Sequence, residues 1–293
     1  MSSVFEFSTS CCAKTFFLGE YSALSTKKAI LILTEPSFHA VFSLGGLRED
    51  IKTSPPCEKL IDSNLCLQNL SYKFIDPYNG RGGLGASSAE FLFWLRAASF
   101  FSGTPYDFKK KDEIDIMLNV YEKNSWSGVG SPPSGLDLVS QNYSGIVYLD
   151  LHSSKVETMR WPFKTAGFCL AHTNKKLATH SHLEGIRKPE NMAFLANYVD
   201  SAWGSLLQKD LSRLAMAING FFNSQKDLGL VAGHTADIVD GAMESGIFLA
   251  AKGCGAMGSD VVMFLYEAKQ NIEAVNFIQQ LGLDILATEK NMR

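Results

Sequence analysis

Residues 82–90 read GGLGASSAE and run without a break into FLFWLRAASF (91–100), a stretch apolar enough for a buried helix. Side chains are stripped away just where that helix begins. A helix start leaves several backbone N–H groups unpaired and carries partial positive charge, which together attract an anion. Glycines ahead of it free the backbone for φ > 0 and let a bulky phosphate approach the amides. The same letters allow a second reading, because Ser87 and Glu90 fit the S-x-x-E capping box, which would start a helix and do nothing more. The stretch matches neither G-x-x-x-x-G-K-[ST] nor the spacing of a dinucleotide fingerprint, so a nucleotide loop of another kind is required.

Around this loop lies a chain of 293 residues, 46% hydrophobic, enough for one large core or two medium ones. A net charge of −3 leaves no basic stripe for nucleic acid. No stretch reaches the 18 or more apolar residues of a membrane span, and MSSVFEFSTSCCAKTFF (1–17) lacks the basic and apolar regions of a secretory leader. The expectation is a cytoplasmic protein with neither nucleic acid nor membrane as partner. Six cysteines (Cys11, Cys12, Cys57, Cys66, Cys169, Cys254) lack C-x-x-C spacing and read as buried thiols rather than a zinc site or a disulfide framework.

Strands and helices mix in both halves, which predicts an α/β or α+β chain in two domains. KKAILILT and SFHAVFSL read as strands parted by the breaker EPS (35–37), and SGIVYLDLH (144–152) as another. PYNGRGG (77–83) is a loop, and Trp161-Pro162 is the crossing between halves, giving domains 1–160 and 161–293. Beyond it come a strand AGFCLAHT and one or two amphipathic helices within residues 191–222, where apolar positions recur three and four apart. A helix through HTADIVDGAMESGIFLAAK (234–252), a strand VVMFLYE, a helix ending near QQLG and a last strand LDILAT complete the reading.

Three segments, in order along the chain, carry a resemblance. AKTFFLGEYSAL (13–24), GGLGASSAE (82–90) and KGCGAMGSDVVMFL (252–265) resemble the lysine-bearing N-terminal motif, the phosphate loop P-x-x-x-G-L-G-S-S-A-A and the C-terminal motif K-x-S-G-A-G-G-G of the GHMP kinase superfamily, in its mevalonate-pathway branch. Ala86 stands where the family has Ser, Glu90 where it has a small residue, Cys254 where it has Ser, and Met257 where it has Gly. The resemblance implies a two-domain α+β GHMP kinase fold, with an N-terminal ATP-binding domain like domain 2 of ribosomal protein S5 and a ferredoxin-like C-terminal domain. It implies ATP and Mg²⁺ in the cleft, with Gly82, Gly83, Leu84, Gly85, Ala86, Ser87 and Ser88 wrapping the triphosphate and Ser88 touching the metal.

Phosphoryl transfer needs an aligned acceptor and cations where charge spreads over the transferred group. Lys14 is the candidate cation, since it lies among Cys, Ala and Phe where an unpaired charge would be costly. In GSPPSGLDLVSQNYSG (130–145), S-G-L-D resembles the S-G-x-D of mevalonate kinases, which makes Asp137 the catalytic acid residue and Ser134 a substrate contact; Glu122 is a further metal candidate. AHTNKKLATHSHLEGI (171–186) resembles a segment of bacterial phosphomevalonate kinases, so Lys175, Lys176 and His182 are expected at a phosphorylated small-molecule acceptor. Glu20, Tyr21, Gly255, Ala256 and Asp260 complete the implied acceptor site. Phosphomevalonate is the expected acceptor and mevalonate the alternative; a non-catalytic nucleotide-binding relative is a reading of another class. The chain is expected as a monomer or homodimer.

Overall fold

A computed structural model describes residues 6–45, 53–175 and 189–292. Its first sheet is antiparallel and built around one long strand. Strand β1 (Glu6–Leu18) pairs with β2 (Lys28–Leu44), and the far edge of β2 carries β3 (Leu70–Ile75) along its second half and β4 (Ile146–Asp150) along its first. β5 (Lys155–Met159) closes the sheet against β4. A short helix α1 (Ala23–Thr26) makes the turn from β1 into β2.

β2 is where the expectation of two strands fails. The ladder passes from Cys11 opposite Phe38 to Ala13 opposite Thr34, so Cys12 alone faces residues 35–37. A bulge of this kind removes the ladder's demand for an N–H at Pro36, and the strand bends through EPS instead of ending there. β1 itself gave no strand signal in the sequence reading, because its run of Ser, Thr, Cys and Lys lacks clean alternation. Its last residues are nonetheless buried on both faces, between the sheet's helices and the second half of the chain.

Helices α2 (Pro55–Asp62), α3 (Ala86–Phe101), α4 (Lys111–Ser125) and α5 (Leu136–Ser140) gather beside this sheet. α3 is apolar nearly all round, and Phe91, Leu92, Phe93 and Trp94 are all sealed from solvent. A helix of that kind belongs inside a core. It lies between β1, β2 and α5, which fixes its N-terminus, and the glycine loop before it, against the middle of β1.

The second sheet has the order β7-β8-β6-β9, all antiparallel, from β6 (Ala166–His172), β7 (Phe248–Cys254), β8 (Val261–Glu267) and β9 (Asp284–Thr288). Helices α6 (Ala196–Gln208), α7 (Leu211–Asp227) and α8 (Gly233–Glu244) connect β6 to β7, and α9 (Asn271–Gln280) connects β8 to β9. The result is the β-α-β-β-α-β order of a ferredoxin-like sheet, within an α+β chain. Here the helix expected through residue 252 is corrected: α8 stops at Glu244, and Gly246 turns the chain at φ 69° so that FLAAKGC can pair with β8 as a strand.

The two sheets share a core. One contiguous cluster takes in Phe17, Leu31 and Val147 of the first sheet together with Leu170, Val261 and Met263 of the second. α6 belongs to the second half by sequence yet lies on the first sheet, where Trp203 stacks on Tyr148 at 5.2 Å and Lys28 pairs with Asp200 at 2.9 Å.

Candidate active site

The chain leaves β3 through a tight turn in which Asp76 accepts from the backbone N–H groups of Tyr78 and Gly80, each at 2.7 Å. It then crosses the top of β1 as the glycine loop. Leu84 is buried as an anchor, and its carbonyl accepts from the N–H of Lys14 at 2.9 Å. Gly83 and Gly85 take φ 81° and 84°, the left-handed region that favours glycine.

The glycines answer two demands at once. A Cβ on Gly85 would stand 2.7 Å from Lys14 Cγ, and one on Gly82 would stand 2.6 Å from Asp260 Oδ2. Close approach of protein therefore accounts for part of the missing side chains. The amides remain open: among the described residues, no protein acceptor takes the N–H groups of Gly83 through Ser88. The capping-box reading is not what the structure holds. No side chain caps α3, and the Glu90 carboxylate instead accepts from the N–H of Ser54 at 3.1 Å. Ser87 is exposed at the loop surface, whereas Ser88 is buried and donates its hydroxyl to the Gly85 carbonyl at 3.0 Å. Ala86 opens the helix just before the two serines.

Lys14 comes up from β1 beneath this loop. It is buried, and its Nζ lies 4.0 Å from Asp137 Oδ2 and 5.0 Å from the centre of the Phe16 ring. Asp137 occupies the first turn of α5, reached through Gly135 at φ 71°, where an added Cβ would stand 2.3 Å from Leu118. Gln141, at the other end of α5, donates to the carbonyls of Gly85 (3.1 Å) and Cys12 (3.2 Å), stitching β1, the loop and α5 together. Sequence reasoning missed this glutamine, since a lone amide in a loop carries no motif. Glu122 is half-buried on α4; burial pulls the pKa of the Lys27 ammonium down against the opposing pull of Glu122, and Lys27 donates to the Ser134 carbonyl at 3.3 Å.

From the second sheet, the 254–260 turn closes over the same region. Met257 adopts φ 54°, in the left-handed region that favours glycine, at the position where the resembled motif has glycine. Its N–H donates to Tyr21 Oη at 2.7 Å and its carbonyl accepts from Ala232 at 2.9 Å. Burial pushes the Tyr21 phenol up to about 12, which keeps it a neutral acceptor in that bond. Gly255, at φ 84°, and Ala256 form the backbone of the turn. Thr235 and His234, at the start of α8, brace it through the carbonyls of Gly258 (3.0 Å) and Ser259 (3.2 Å).

Glu20 does not face the cleft. Its side chain is sealed against Lys252, which is wholly buried on β7, and the two form an ion pair between the halves of the chain. Burial pushes the Glu20 carboxyl up, against the pull of Lys252. Asp260 does reach the glycine loop, and its carbonyl accepts from Thr173 N–H at 2.9 Å. Lys175 is exposed just beyond, while Lys176 and His182 lie outside the described residues.

The structure thus gathers Lys14, Asp137, the open amides of the glycine loop and Asp260 at one place between the two sheets. No protein-family model and no curated protein matches the chain by sequence. Solved structures match it in shape. The mevalonate kinase of Methanococcus jannaschii aligns over 99% of each chain with a TM-score of 0.70 at 17% identity. The phosphomevalonate kinase of Streptococcus pneumoniae aligns over 97% of this chain and 98% of its own, with a TM-score of 0.75 at 14% identity. The galactokinase of Lactococcus lactis, solved with galactose, aligns over 98% and 92% with a TM-score of 0.73 at 12% identity. The likeness runs the length of the chain, and at these identities it is a likeness of fold.

Proposed function

We propose that this chain, which has the fold of the GHMP kinases, is an ATP-dependent small-molecule kinase of the mevalonate pathway that phosphorylates 5-phosphomevalonate. The observation that carries the kinase reading is the convergence of a buried lysine, a carboxylate 4.0 Å from it and a glycine loop with open amides. Each has a task in phosphoryl transfer. The amides of residues 83–88 hold the triphosphate, and the partial charge of the α3 start favours its anionic oxygens. Lys14 stabilises the charge that develops as the acceptor oxygen bonds to the γ-phosphorus and the bond to ADP breaks. Asp137 orients Lys14 and the acceptor, and accepts the proton where the acceptor is an alcohol.

Mg²⁺ fits the residues present. The Asp260 carboxylate packs against Gly82, and a polyphosphate seated on the loop would be repelled by it unless a divalent cation lay between. Such a cation keeps most of its shell as water and phosphate oxygen, so one carboxylate and one hydroxyl suffice from the protein. Asp260 is the described carboxylate against the loop that would hold it, with Ser88 turned inward to Gly85. The ion would neutralise charge on the transferred group.

Two features support an anionic acceptor. Thr173, within the 171–186 segment, is buried against the Ser259 and Asp260 carbonyls, and Lys175 two residues on is exposed. The solved phosphomevalonate kinase of S. pneumoniae is also among the chains of this shape, with phosphomevalonate and AMPPNP bound. Mevalonate is the second reading, favoured by the Lys14–Asp137 pair, because an alcohol gains more from a nearby carboxylate than a phosphate does. ADP release measured side by side with phosphomevalonate, mevalonate, homoserine and galactose tests both. The highest kcat/KM is expected with phosphomevalonate; a preference for mevalonate replaces the acceptor, and no ADP from any of the four overturns the kinase.

A further inference from the structure

On the far side of Gln141 from the glycine loop lies a cavity of about 350 Å³ whose described lining contains two cations, Arg96 and Lys109, and no Asp or Glu. Arg96 is carried by α3 and reaches back to the start of β1. Its Nη1 donates to Thr9 Oγ1 (3.0 Å) and the Ser10 carbonyl (2.8 Å), and its Nη2 to Asn142 Oδ1 (2.9 Å). All three partners are neutral. Among the described residues no partner takes the other two of the five guanidinium N–H groups. Burial pulls the pKa of the guanidinium down, with the Cys11 thiol acting against it. Lys109 stands over the Tyr143 ring at 5.3 Å, and Asp107 on the same loop accepts from the Lys109 backbone N–H rather than its ammonium.

Arg96 also lines a second cavity, of about 540 Å³, bounded by Phe7, Phe100, Pro105, Tyr106 and Phe108. Phe7 and Phe100 stack there at 4.6 Å, and Phe100 and Tyr106 are 43% and 41% exposed. A half-buried guanidinium whose described partners are all neutral thus joins a polar cavity to an aromatic one. A carboxylate or phosphate would satisfy the free fork, and a flat apolar group attached to it would cover the rings.

We infer that the Arg96 groove is a second ligand site, taking a small organic anion whose phosphate or carboxylate meets Arg96 and Lys109 and whose apolar part lies on Phe7, Phe100 and Tyr106. The site is separate from the glycine loop and does not rest on the kinase reading.

Calorimetric titration of the whole chain with phenyl phosphate, inorganic phosphate and benzylamine tests it, on the parent and on Lys109→Ala and Arg96→Gln. Phenyl phosphate is expected to bind once per chain, about tenfold tighter than inorganic phosphate, with no binding of benzylamine. Arg96→Gln should weaken it about tenfold and Lys109→Ala about threefold. Lys109 is exposed, so its variant folds and decides the matter if Arg96→Gln does not. Affinity unchanged in the variants would assign the binding elsewhere, the glycine loop included, and overturn the site. Equal affinity for benzylamine or for inorganic phosphate, or no binding at millimolar concentration, would overturn it as well.

Discussion

In the proposed reaction Lys14 is the residue on which the chemistry turns, and its surroundings allow a catalytic role to be tested apart from a structural one. Its stem packs under Gly85 while its ammonium meets a partly exposed carboxylate. Methionine has the same unbranched reach. Lys14→Met should therefore leave the melting temperature close to the parent's and lower turnover by about 10²–10³-fold, the worth of one preorganised group at a transition state. Paired ADP-release assays and thermal melts measure the two; parental turnover would remove Lys14 from the mechanism. Glu90 makes a different prediction. Burial pushes its carboxyl above the ordinary range, outweighing the hydrogen bonds from Ser54. A raised pKa in the folded state means that the fold prefers the proton: the stabilisation is complete below the unfolded value of 4.5 and lost as pH rises through the folded value. Glu90→Gln should then melt higher than the parent at pH 7–8, with the advantage shrinking as pH falls towards 4.5. A difference in melting temperature that does not change with pH would show that the carboxyl's charge is not what the fold resists.

At the scale of the element, the loop before α3 shows how a strand, a turn and a helix are made to meet. Gly85 carries a left-handed φ and has no room for a Cβ beside Lys14. Gly85→Ala should cost about 1–3 kcal/mol from backbone strain and overpacking. It should also lower turnover about a hundredfold, since a shift of 1 Å in a catalytic group has that effect. Urea denaturation and steady-state kinetics on the one variant test both, and a stable, fully active protein would refute the packing argument. The phosphate-loop reading could be made from the sequence because glycines, small residues and an apolar run follow one another without interruption. The capping box, written in the same letters, lost because Glu90 found a donor in Ser54, 36 residues away. The limits of local reading show again in FLAAKGC, whose apolar run suits helix or strand; the neighbouring β8 decided it. In β2, similarly, the partner strand tolerated a proline that punctuation alone would take as a stop.

Across the whole molecule, the two sheets are held together by a shared apolar core and, among the described residues, by a buried charge pair. Lys252 is fully sealed, with Glu20 as its partner across the two halves. Removing one member leaves a buried charge without a partner, whereas replacing both with apolar groups of similar size is close to neutral. Lys252→Met is expected to lower stability by about 3–5 kcal/mol, and adding Glu20→Leu should recover most of it. Chemical denaturation of the parent, both single variants and the double variant measures the coupling. Additive losses would mean that the pair does not tie the halves together. Tyr21 follows Glu20 and holds Met257 in its left-handed turn, so the same double cycle should also change turnover through the 254–260 segment.

By itself the sequence placed the glycine loop before a buried helix and left α/β or α+β open, because neighbouring residues carry that much physics in their spacing; α+β and the proposal of Lys14 and Asp137 came from the resemblance to the GHMP kinases. Only the tertiary structure decided that Lys14 and Asp137 stand 4.0 Å apart, that Asp260 touches Gly82, that Glu20 faces Lys252 and that the described partners of Arg96 are all neutral. These are meetings between residues distant in sequence, and what brings them together is the burial of a common core by two sheets, a property of the whole chain that no local stretch contains.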